Sequence, residues 1–463
     1  MSFQHLVSPK AALFGEPVDY AEWRYHEVRK SVLAMVDGSL TRNQSEHQLG
    51  TSARVACHGY WGFAASNQAG ETVARSLGDK ALANARAMKA FGDKPVLRLP
   101  SARYQGEHRF QGKPVISRQE ALEWMNHLHA YCQKQFPALI STRWVLGTEQ
   151  HEKYVTNSLG SEVLSCIDRA AAYVFFTAEN QEGQPVELME VISGKGTWAD
   201  LDLSLPRMES LLAELHEHLM AKREAVSAKG GKHTVILHSD LTGILAHEAM
   251  GHPCEADLVL GGAVTGDLKG QRVASDLVTM VDFAHSYQGT ELLVPVYADD
   301  EGTPASDVRM IENGLLTGYM HSRETASLLG STPTGNARAY GEADEPLVRM
   351  RNTAILPGTS SLDQMVSEVD EGYLLIKSGN GEADTTTEFM FGISLGYEIK
   401  NGKIGRAIKD TTLSGSAIEV LKTVDAVSSD MRWDCAGYCG KKQPMIVSVG
   451  GPSLRAVAHL GGE

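Results

Sequence analysis

The sequence is organised around one short stretch, His247-Glu-Ala-Met-Gly-His252. Two imidazoles on either side of a carboxylate supply neutral nitrogen ligands for a zinc ion and a base for the water molecule beside it. In the common His-Glu-x-x-His motif the histidines lie four residues apart, on one helix face. Here they lie five apart, which at about 100° per residue leaves them roughly 140° apart on a regular helix. A regular α-helix therefore cannot present both imidazoles to one ion.

The neighbouring residues indicate how the extra residue is accommodated. Ser239 or Asp240 can cap the start of a helix. Gly251 permits a left-handed or helix-ending conformation, and Pro253 disfavours the α region for His252. We therefore expect the helix to end or bulge at Gly251, with His252 turning back from a non-helical position. The alternative is that the two imidazoles only cap the helix end or fill hydrogen bonds in the core.

Length and composition are those of an ordinary globular protein. The chain has 463 residues, enough for two or three domains, of which 42% are hydrophobic and 22% charged. A net charge of −14 without a cluster of Lys and Arg argues against nucleic-acid binding as the main function. The N-terminus lacks a basic region followed by an apolar one, and no apolar run reaches membrane-spanning length. We expect a soluble cytoplasmic protein that does not enter a membrane.

Changes in pattern divide the chain into three predicted units. Residues 1–116 form an N-terminal α+β subdomain with a linker, and residues 117–229 form a second α+β subdomain. The second unit starts with Ser117 and Glu120 in a capping-box pattern. Residues 230–463 form the catalytic domain. The predicted fold class is α+β: N-terminal α/β units precede a C-terminal, largely antiparallel β domain that carries the metal-binding helix.

Two Asn-Gly pairs between strand-like arms predict β-hairpins in the C-terminal domain, at Asn313-Gly314 and Asn401-Gly402. The arm before the second pair alternates strictly, with Phe391 on the packed face and with Gly392 and Ser394 on the opposite face. These small residues allow a close approach by a substrate peptide added to the sheet edge, by another strand or by a helix. Phe391, Gly392 and Ser394 are therefore candidate substrate-binding residues.

A catalytic zinc site usually has three protein ligands, so a third donor is needed. The C-terminal stretch offers Cys435 and Cys439 on glycine-flanked backbone, and Cys254 lies two residues after His252. Any single cysteine is more often a small buried hydrophobe than a ligand. The six cysteines are scattered apart from that last pair, which is typical of reduced thiols rather than a disulfide framework. The residues alone leave the third ligand open.

Several blocks, taken together and in order, resemble the TldD/PmbA metallopeptidases over most of the chain. The blocks are Gly62-Phe-Ala-Ala, His247-Glu-Ala-Met-Gly-His252, Asp300-Glu-Gly-Thr-Pro304, Ile311-Glu-Asn-Gly-Leu-Leu, Asn336-Ala-Arg338, Thr387-Glu-Phe-Met-Phe391, Glu398-Ile-Lys-Asn-Gly-Lys-Ile and Cys439-Gly-Lys. The combination of His-Glu-x-x-x-His with Cys-Gly-Lys is specific to the catalytic, TldD-like branch. One departure is Pro253-Cys254, where the family usually has Gly-Leu, and it adds a thiol beside the motif.

The resemblance implies a zinc-dependent peptide hydrolase in which His247, His252 and Cys439 bind Zn²⁺ and Glu248 activates the water. It implies cleavage of short or unfolded peptides, with the substrate held as an added β-strand beside the metal. It also implies a chamber formed by two subunits, either a homodimer or a heterodimer with an inactive paralogue.

His321 and Arg338 are candidates to stabilise the oxyanion or to hold the carboxylate of the peptide, and ordinary salt bridging is the alternative for both. Two other functions stay open: a non-catalytic peptide-binding subunit of the same family, and a zinc hydrolase of non-peptide amides or esters. The intact Glu248 argues against the first, because a scaffold needs no base between two histidines. Only the predicted edge strand separates the second from a peptidase.

Overall fold

A computed structural model of the chain describes residues 17–92, 94–383 and 386–462, and for residues 380–383 it describes the backbone alone. None of the helices in these ranges combines the length and the apolar character that a membrane span requires. The elements of the N-terminal half are β1 (Tyr20–Val36), β2 (Ser39–Cys57), β3 (Tyr60–Ser66), α1 (Glu71–Ala87), a 3₁₀ turn (Met88–Phe91), β4 (Gln105–His108), α2 (Arg118–Gln135), β5 (Ser141–Asn157), β6 (Glu162–Glu179), β7 (Pro185–Lys195) and α3 (Leu205–Arg223).

One long sheet is the framework of this half. Its strands lie in the order β3-β2-β1-β5-β6-β4, and β7 also pairs with β6. All neighbours are antiparallel except β4, which runs parallel to β6. Helices α2 and α3 pack on the sheet, where Met125, Trp144 and Leu212 are buried in one core. The predicted capping box starts α2, because the Ser117 side chain accepts from the Glu120 backbone and Glu120 accepts from the Ser117 backbone.

The sheet crosses the boundary between the two predicted N-terminal units. Strand β1 pairs with β5 from Glu22 to Val36, so the described parts of the two predicted units share one hydrogen-bonded sheet. The stretch expected as a linker, from Gly92 to Pro114, contains strand β4. The division of the chain at residues 116 and 229 stays a prediction.

The C-terminal half, from residue 231, contains many short strands and helices. They are β8 (Gly231–Leu237), α4 (Ser239–Leu245), a π-helix (Ala246–Gly251), a 3₁₀ turn (His252–Cys254), α5 (Ala256–Leu260), a 3₁₀ turn (Val264–Asp267), β9 (Met280–Phe283), β10 (Ser286–Tyr287), β11 (Thr290–Glu291), β12 (Val308–Glu312), β13 (Leu315–Leu316), α6 (Arg323–Leu328), β14 (Ala337–Arg338), β15 (Leu347–Val348), β16 (Asn352–Ile355), α7 (Leu362–Ser367), β17 (Glu371–Ala383), β18 (Glu388–Lys400), β19 (Lys403–Ala407), β20 (Thr411–Ser416), α8 (Ala417–Lys422), β21 (Ala426–Val427), β22 (Arg432–Asp434), β23 (Tyr438–Cys439), β24 (Met445–Ile446), β25 (Ser448–Gly451) and β26 (Leu454–Leu460).

Five of these strands close into a barrel. The order is β17-β8-β26-β20-β18, and β18 pairs back to β17. A second sheet has the order β13-β12-β9-β16-β25-β22. Most pairs in both are antiparallel, with β8/β17 and β16/β25 as parallel exceptions. The α+β fold class and the largely antiparallel C-terminal domain are confirmed.

Both predicted Asn-Gly hairpins are present. Glu312 pairs with Leu315 across the first turn, and Lys400 pairs with Lys403 across the second. The asparagines have φ of 47° and 49°, and the following glycines have φ of 80° and 72°. Two positive φ angles in succession are the geometry of the turn that matches the twist of paired strands.

The helix that carries the histidine motif is the buried centre of the C-terminal half. Its Leu241, Leu245 and Met250 lie in the largest core cluster, and α4 contacts strands of both sheets. Helix α4 approaches β25 so closely that a Cβ at Gly243 would lie 3.0 Å from the Gly450 nitrogen. Core packing therefore sets the position of the motif. The N-cap of α4 is His238, not Ser239 or Asp240 as predicted.

Candidate metal centre

A π-turn solves the five-residue spacing. The backbone N–H of His252 donates to the carbonyl of His247, which is the five-residue bond of a π-helix. This wider turn brings the two imidazoles to one side, with ring centroids 5.1 Å apart and planes at 82°. The bulge predicted near Gly251 is therefore present. The prediction that His252 has a non-helical backbone conformation is wrong.

The error has a physical reason in the local backbone. Gly251 has φ −62° and ψ −56°, and His252 has φ −59° and ψ −49°, so both are right-handed helical. The π-turn absorbs the extra residue without leaving the helical region, and Pro253 ends the ladder because it has no N–H. Gly251 does not serve a left-handed turn. A glycine fits here because a Cβ at this position would lie 2.2 Å from the Met350 sulfur.

Cys439 completes a three-residue group with the two histidines. One ligand atom each from His247, His252 and Cys439 lie within 4.8 Å of one another, and no other such group of three His, Cys, Asp or Glu residues occurs in the described ranges. The Cys439 sulfur is 3.3 Å from Nε2 of His252. Two chain segments separated by 187 residues therefore meet at one point.

The charges of this group favour a cation. Burial raises the pKa of the Cys439 thiol, but the two imidazoles beside it outweigh burial and hold the pKa well below its usual range. Burial lowers the pKa of His252, whereas Glu255 and Cys439 raise it well above the usual value. A lowered pKa favours the thiolate form of Cys439, which is the form that binds metals.

The chemistry of the three donors is that of a zinc site. Two imidazoles and a thiolate are a donor set that Zn²⁺ accepts, and His247 and Cys439 are both buried. These residues fit a zinc ion.

A buried chain of charges orients His252. Its Nδ1 is 2.8 Å from Oε2 of Glu255, a fully buried carboxylate. Lys441 is 3.0 Å from the same oxygen and 2.9 Å from Asp257. A carboxylate on the far nitrogen of a histidine fixes the ring and leaves the other nitrogen for a metal. The sequence prediction missed Glu255 and Lys441, although the three-residue spacing from His252 and the Cys-Gly-Lys block were available signals.

Glu248 lies on the more open side of the centre. Its Oε2 is 3.8 Å from Nε2 of His252, and 23% of its side chain is exposed. The other two cysteines proposed as ligands lie outside the three-residue group. Cys254 is fully buried, and burial raises the pKa of its thiol. Cys435 contacts Ser193, and burial raises its pKa to about 12.

Two predicted substrate contacts are engaged inside the protein. Nδ1 of His321 is 3.3 Å from the Thr325 hydroxyl, and burial lowers the pKa of this imidazole to about 4. Arg338 is buried and donates to the Met350 carbonyl at 2.6 Å. These contacts explain both side chains without a substrate, and their predicted roles gain no support.

The glycine-faced strand β18 does not offer an edge. It pairs with β17 on one side and with β20 and β19 on the other, so the predicted addition of a peptide along it is wrong. Strand β19 is the second arm of the predicted Asn401-Gly402 hairpin, whereas the alternating pattern did not show that β17 and β20 also pair with β18. Phe391 lies in the core with 1% exposure, Gly392 is half-buried, and Ser394 lines a cleft.

This cleft, of about 700 Å³, is lined by residues that lie near the centre in sequence, although His247, Glu248, His252 and Cys439 are not part of the lining. Ile244, one turn before His247, and Gly437, two residues before Cys439, are part of its lining. Met189 to Ser193 of β7 and Arg432 to Asp434 of β22 also line it. In the described ranges β7 pairs with β6 alone and β22 with β25 alone. Strands β7 and β22 therefore each line the cleft and each have one edge that pairs with no other strand.

Comparisons with known proteins show which family the chain resembles. Residues 230–459 match the PmbA/TldA metallopeptidase C-terminal domain, and residues 21–88 match PmbA/TldA metallopeptidase domain 1. A metalloprotease of Methanothermobacter thermautotrophicus is 31% identical over 95% of this chain and 94% of its own. A zinc metalloprotease TldD homolog of Saccharolobus solfataricus is 28% identical over 94% and 95%.

Solved structures share the fold at low identity. TldE from Thermococcus kodakarensis superposes with a TM-score of 0.75 at 17% identity, over 96% of this chain and 97% of that one. A putative modulator of a DNA gyrase from Thermotoga maritima gives 0.73 at 20% identity, over 96% of each chain. Together with the domain matches and the relatives of similar length, the motif places this chain in the TldD/PmbA family of metallopeptidases.

Proposed function

We propose that this metallopeptidase is a zinc enzyme that hydrolyses short or unfolded peptides, with His247, His252 and Cys439 as the protein ligands and Glu248 as the general base. The convergence of three ligand atoms within 4.8 Å carries the proposal. Three protein ligands are typical of a catalytic site, because the fourth position stays open.

The bound ion supplies two things: it lowers the pKa of a water molecule and polarises the scissile carbonyl. The protein supplies the proton transfers. Glu248, next to His247 and partly exposed, takes the proton of the attacking water and passes it to the leaving amine. Glu255 holds the His252 ring through Nδ1, so that Nε2 stays directed at the centre.

The cleft supports a peptide as the substrate. An extended peptide forms main-chain hydrogen bonds with an unpaired strand edge, and β7 and β22 both border the cleft. This replaces β18 as the strand that receives the substrate. A small amide or ester would gain nothing from a strand edge, so unfolded peptides are the preferred class.

The assembly stays a prediction from the family resemblance. Both histidines, the thiolate and the base lie in one chain, so a homodimer needs no second kind of subunit. Light scattering of the purified protein distinguishes a homodimer from a monomer, and a monomer would indicate that a paralogue is required to form the chamber.

The direct test combines metal content with turnover. Purified protein should contain one zinc per chain and cleave unfolded peptides, and a chelator should abolish cleavage until zinc is restored. Small amides and esters, assayed in parallel, should react poorly. Protein that binds no transition metal, or cleavage that survives the chelator, would overturn the proposal. Zinc without any cleavage of peptides would favour the non-catalytic peptide-binding subunit.

A further inference from the structure

The Cys439 loop, residues 435–439, has a buried cysteine at each end, and both cysteines lie in core clusters. The backbone between them is more open, because in the described ranges a Cβ at Gly437 would meet no atom within 4 Å. Strand pairing begins at Tyr438, and Arg349 donates to the Cys439 carbonyl at 2.8 Å. The three carbonyls of residues 435–437 are held by side chains from elsewhere.

Strand β6 of the N-terminal sheet provides those side chains. Arg169 and Tyr173 lie four residues apart on β6, which puts them on the same face. Nη1 of Arg169 donates to the carbonyls of Cys435 and Gly437 at 2.5 and 2.9 Å. The Tyr173 hydroxyl donates to the carbonyl between them, that of Ala436, at 3.0 Å. Three successive carbonyls of the loop are thus fixed from the other half of the chain.

Arg169 is itself held in place. Nε and Nη2 donate to one oxygen of Glu149 at 3.2 and 3.0 Å, and both residues are buried. The Tyr438 hydroxyl donates to the same oxygen at 2.5 Å, and the Tyr438 ring lies 4.0 Å from the guanidinium. One arginine therefore connects a fixed carboxylate, two loop carbonyls and the residue that precedes Cys439. The planar fork of arginine can make all these bonds at once, whereas a lysine ammonium cannot.

We propose that Arg169 is a positioning residue of the metal centre, which sets the place of the Cys439 sulfur relative to His247 and His252. The N-terminal sheet then takes part in metal binding although it supplies no ligand. This inference rests on the proposed function, because it takes Cys439 as a metal ligand.

The expected effects follow from the number of bonds removed. Arg169→Met keeps much of the apolar stem but removes every bond to the loop, and we expect zinc affinity to fall about 10- to 100-fold, as for other residues that orient ligands. Arg169→Lys should fall between this variant and the wild type. Tyr173→Phe removes one bond and should weaken zinc binding only a few-fold. Arg143→Met on β5 is the matched control, since that arginine stacks on Phe175 instead of contacting the loop.

The experiment uses full-length protein and three readouts. Zinc affinity is measured by competition with a chromophoric chelator, and Co²⁺ loading reports the thiolate-to-metal absorption band. The third readout is the rise in melting temperature on adding zinc, which measures binding to the folded state separately from stability. A purely structural role would lower the melting temperature with and without zinc alike. A positioning role shrinks the zinc-induced rise and weakens the thiolate band.

Wild-type zinc affinity and an unchanged Co²⁺ spectrum in Arg169→Met would overturn the inference. If that variant does not fold, the graded pair Arg169→Lys and Tyr173→Phe decides by the same readouts. Cys439→Ala, measured in parallel, separates the two proposals. Loss of zinc in Cys439→Ala with none in Arg169→Met contradicts only the positioning role, whereas zinc retained in Cys439→Ala contradicts the ligand set itself.

Discussion

The two parts of the metal centre are held in different ways. His247 and His252 belong to one buried helix, and their relative position is set within six residues by a π-turn in the domain core. Cys439 lies 187 residues from His252, on a loop fixed by hydrogen bonds from both halves of the chain. Packing of this kind makes the histidine pair robust to distant changes. Cys439 is buried in the same core, but the loop that carries it is also held by polar contacts from distant residues, each of which can be removed by one substitution.

The largest effect is expected from the cysteine itself. Cys439→Ala deletes the thiolate and should release the zinc, with complete loss of peptide cleavage, because a catalytic zinc usually needs three protein ligands and only two imidazoles remain. Zinc per chain, measured by mass spectrometry after dialysis, checks this. Cys254→Ala and Cys435→Ala are the controls and should keep the metal. Full zinc in Cys439→Ala, with loss in either control, would move the third ligand to that cysteine.

The second-largest effect is expected from Glu248, the proposed general base in the histidine helix. Glu248→Gln keeps the size of the side chain but cannot accept the proton, so turnover should fall about 10²- to 10⁴-fold while zinc stays bound. Steady-state cleavage of an unfolded peptide together with metal content measures both. Unchanged turnover would remove the general-base role, and loss of zinc would instead place Glu248 among the ligands.

A smaller effect is expected from the carboxylate behind His252. Glu255→Gln retains an oxygen toward Nδ1 of His252 but removes the charge that pairs with Lys441. Zinc affinity should weaken about 10- to 100-fold. Asp257→Asn is the matched control, because it changes the other partner of Lys441 without touching the histidine. Equal affinities in the two variants would mean that Glu255 does not orient the ring.

The smallest effect concerns the stability of the π-turn. A Cβ at Gly251 would lie 2.2 Å from the Met350 sulfur, so Gly251→Ala should destabilise the metal-free protein by about 1–3 kcal/mol. Urea unfolding of Gly251→Ala, Met350→Ala and the double variant tests the cause. The clash predicts that the double variant is more stable than the sum of the single effects. Strict additivity would show that the glycine is required for another reason.

Local patterns predicted the local features of the molecule. The capping box at Ser117, the hairpins at Asn313 and Asn401 and the α+β class all follow from contacts within a few residues, and all are confirmed. The metal residues were named from the motif and the family resemblance, and the geometry that joins them is compatible with that prediction.

Features that depend on distant partners could not be predicted. The sequence around Gly251 predicts the end of a helix. In the structure Gly251 lies in a π-turn, close to the side chain of Met350, and this distant contact could not be predicted. The alternation in β18 suggested a substrate edge, but β17 and β20 pair with this strand, and the pattern within β18 does not show that pairing. Arg169 does not belong to any recognised sequence motif, and only the tertiary structure shows that it lies beside the Cys439 loop.

X-ray absorption at the zinc edge of the full-length protein tests the ligand set most directly. The site proposed here predicts two imidazole nitrogens at about 2.0–2.1 Å and a single sulfur at about 2.3 Å. The sulfur contribution should be lost or the metal released in Cys439→Ala, and both should persist in Cys254→Ala. A zinc site without sulfur, or with two sulfurs, in the wild-type protein would contradict the pairing of the histidine helix with Cys439.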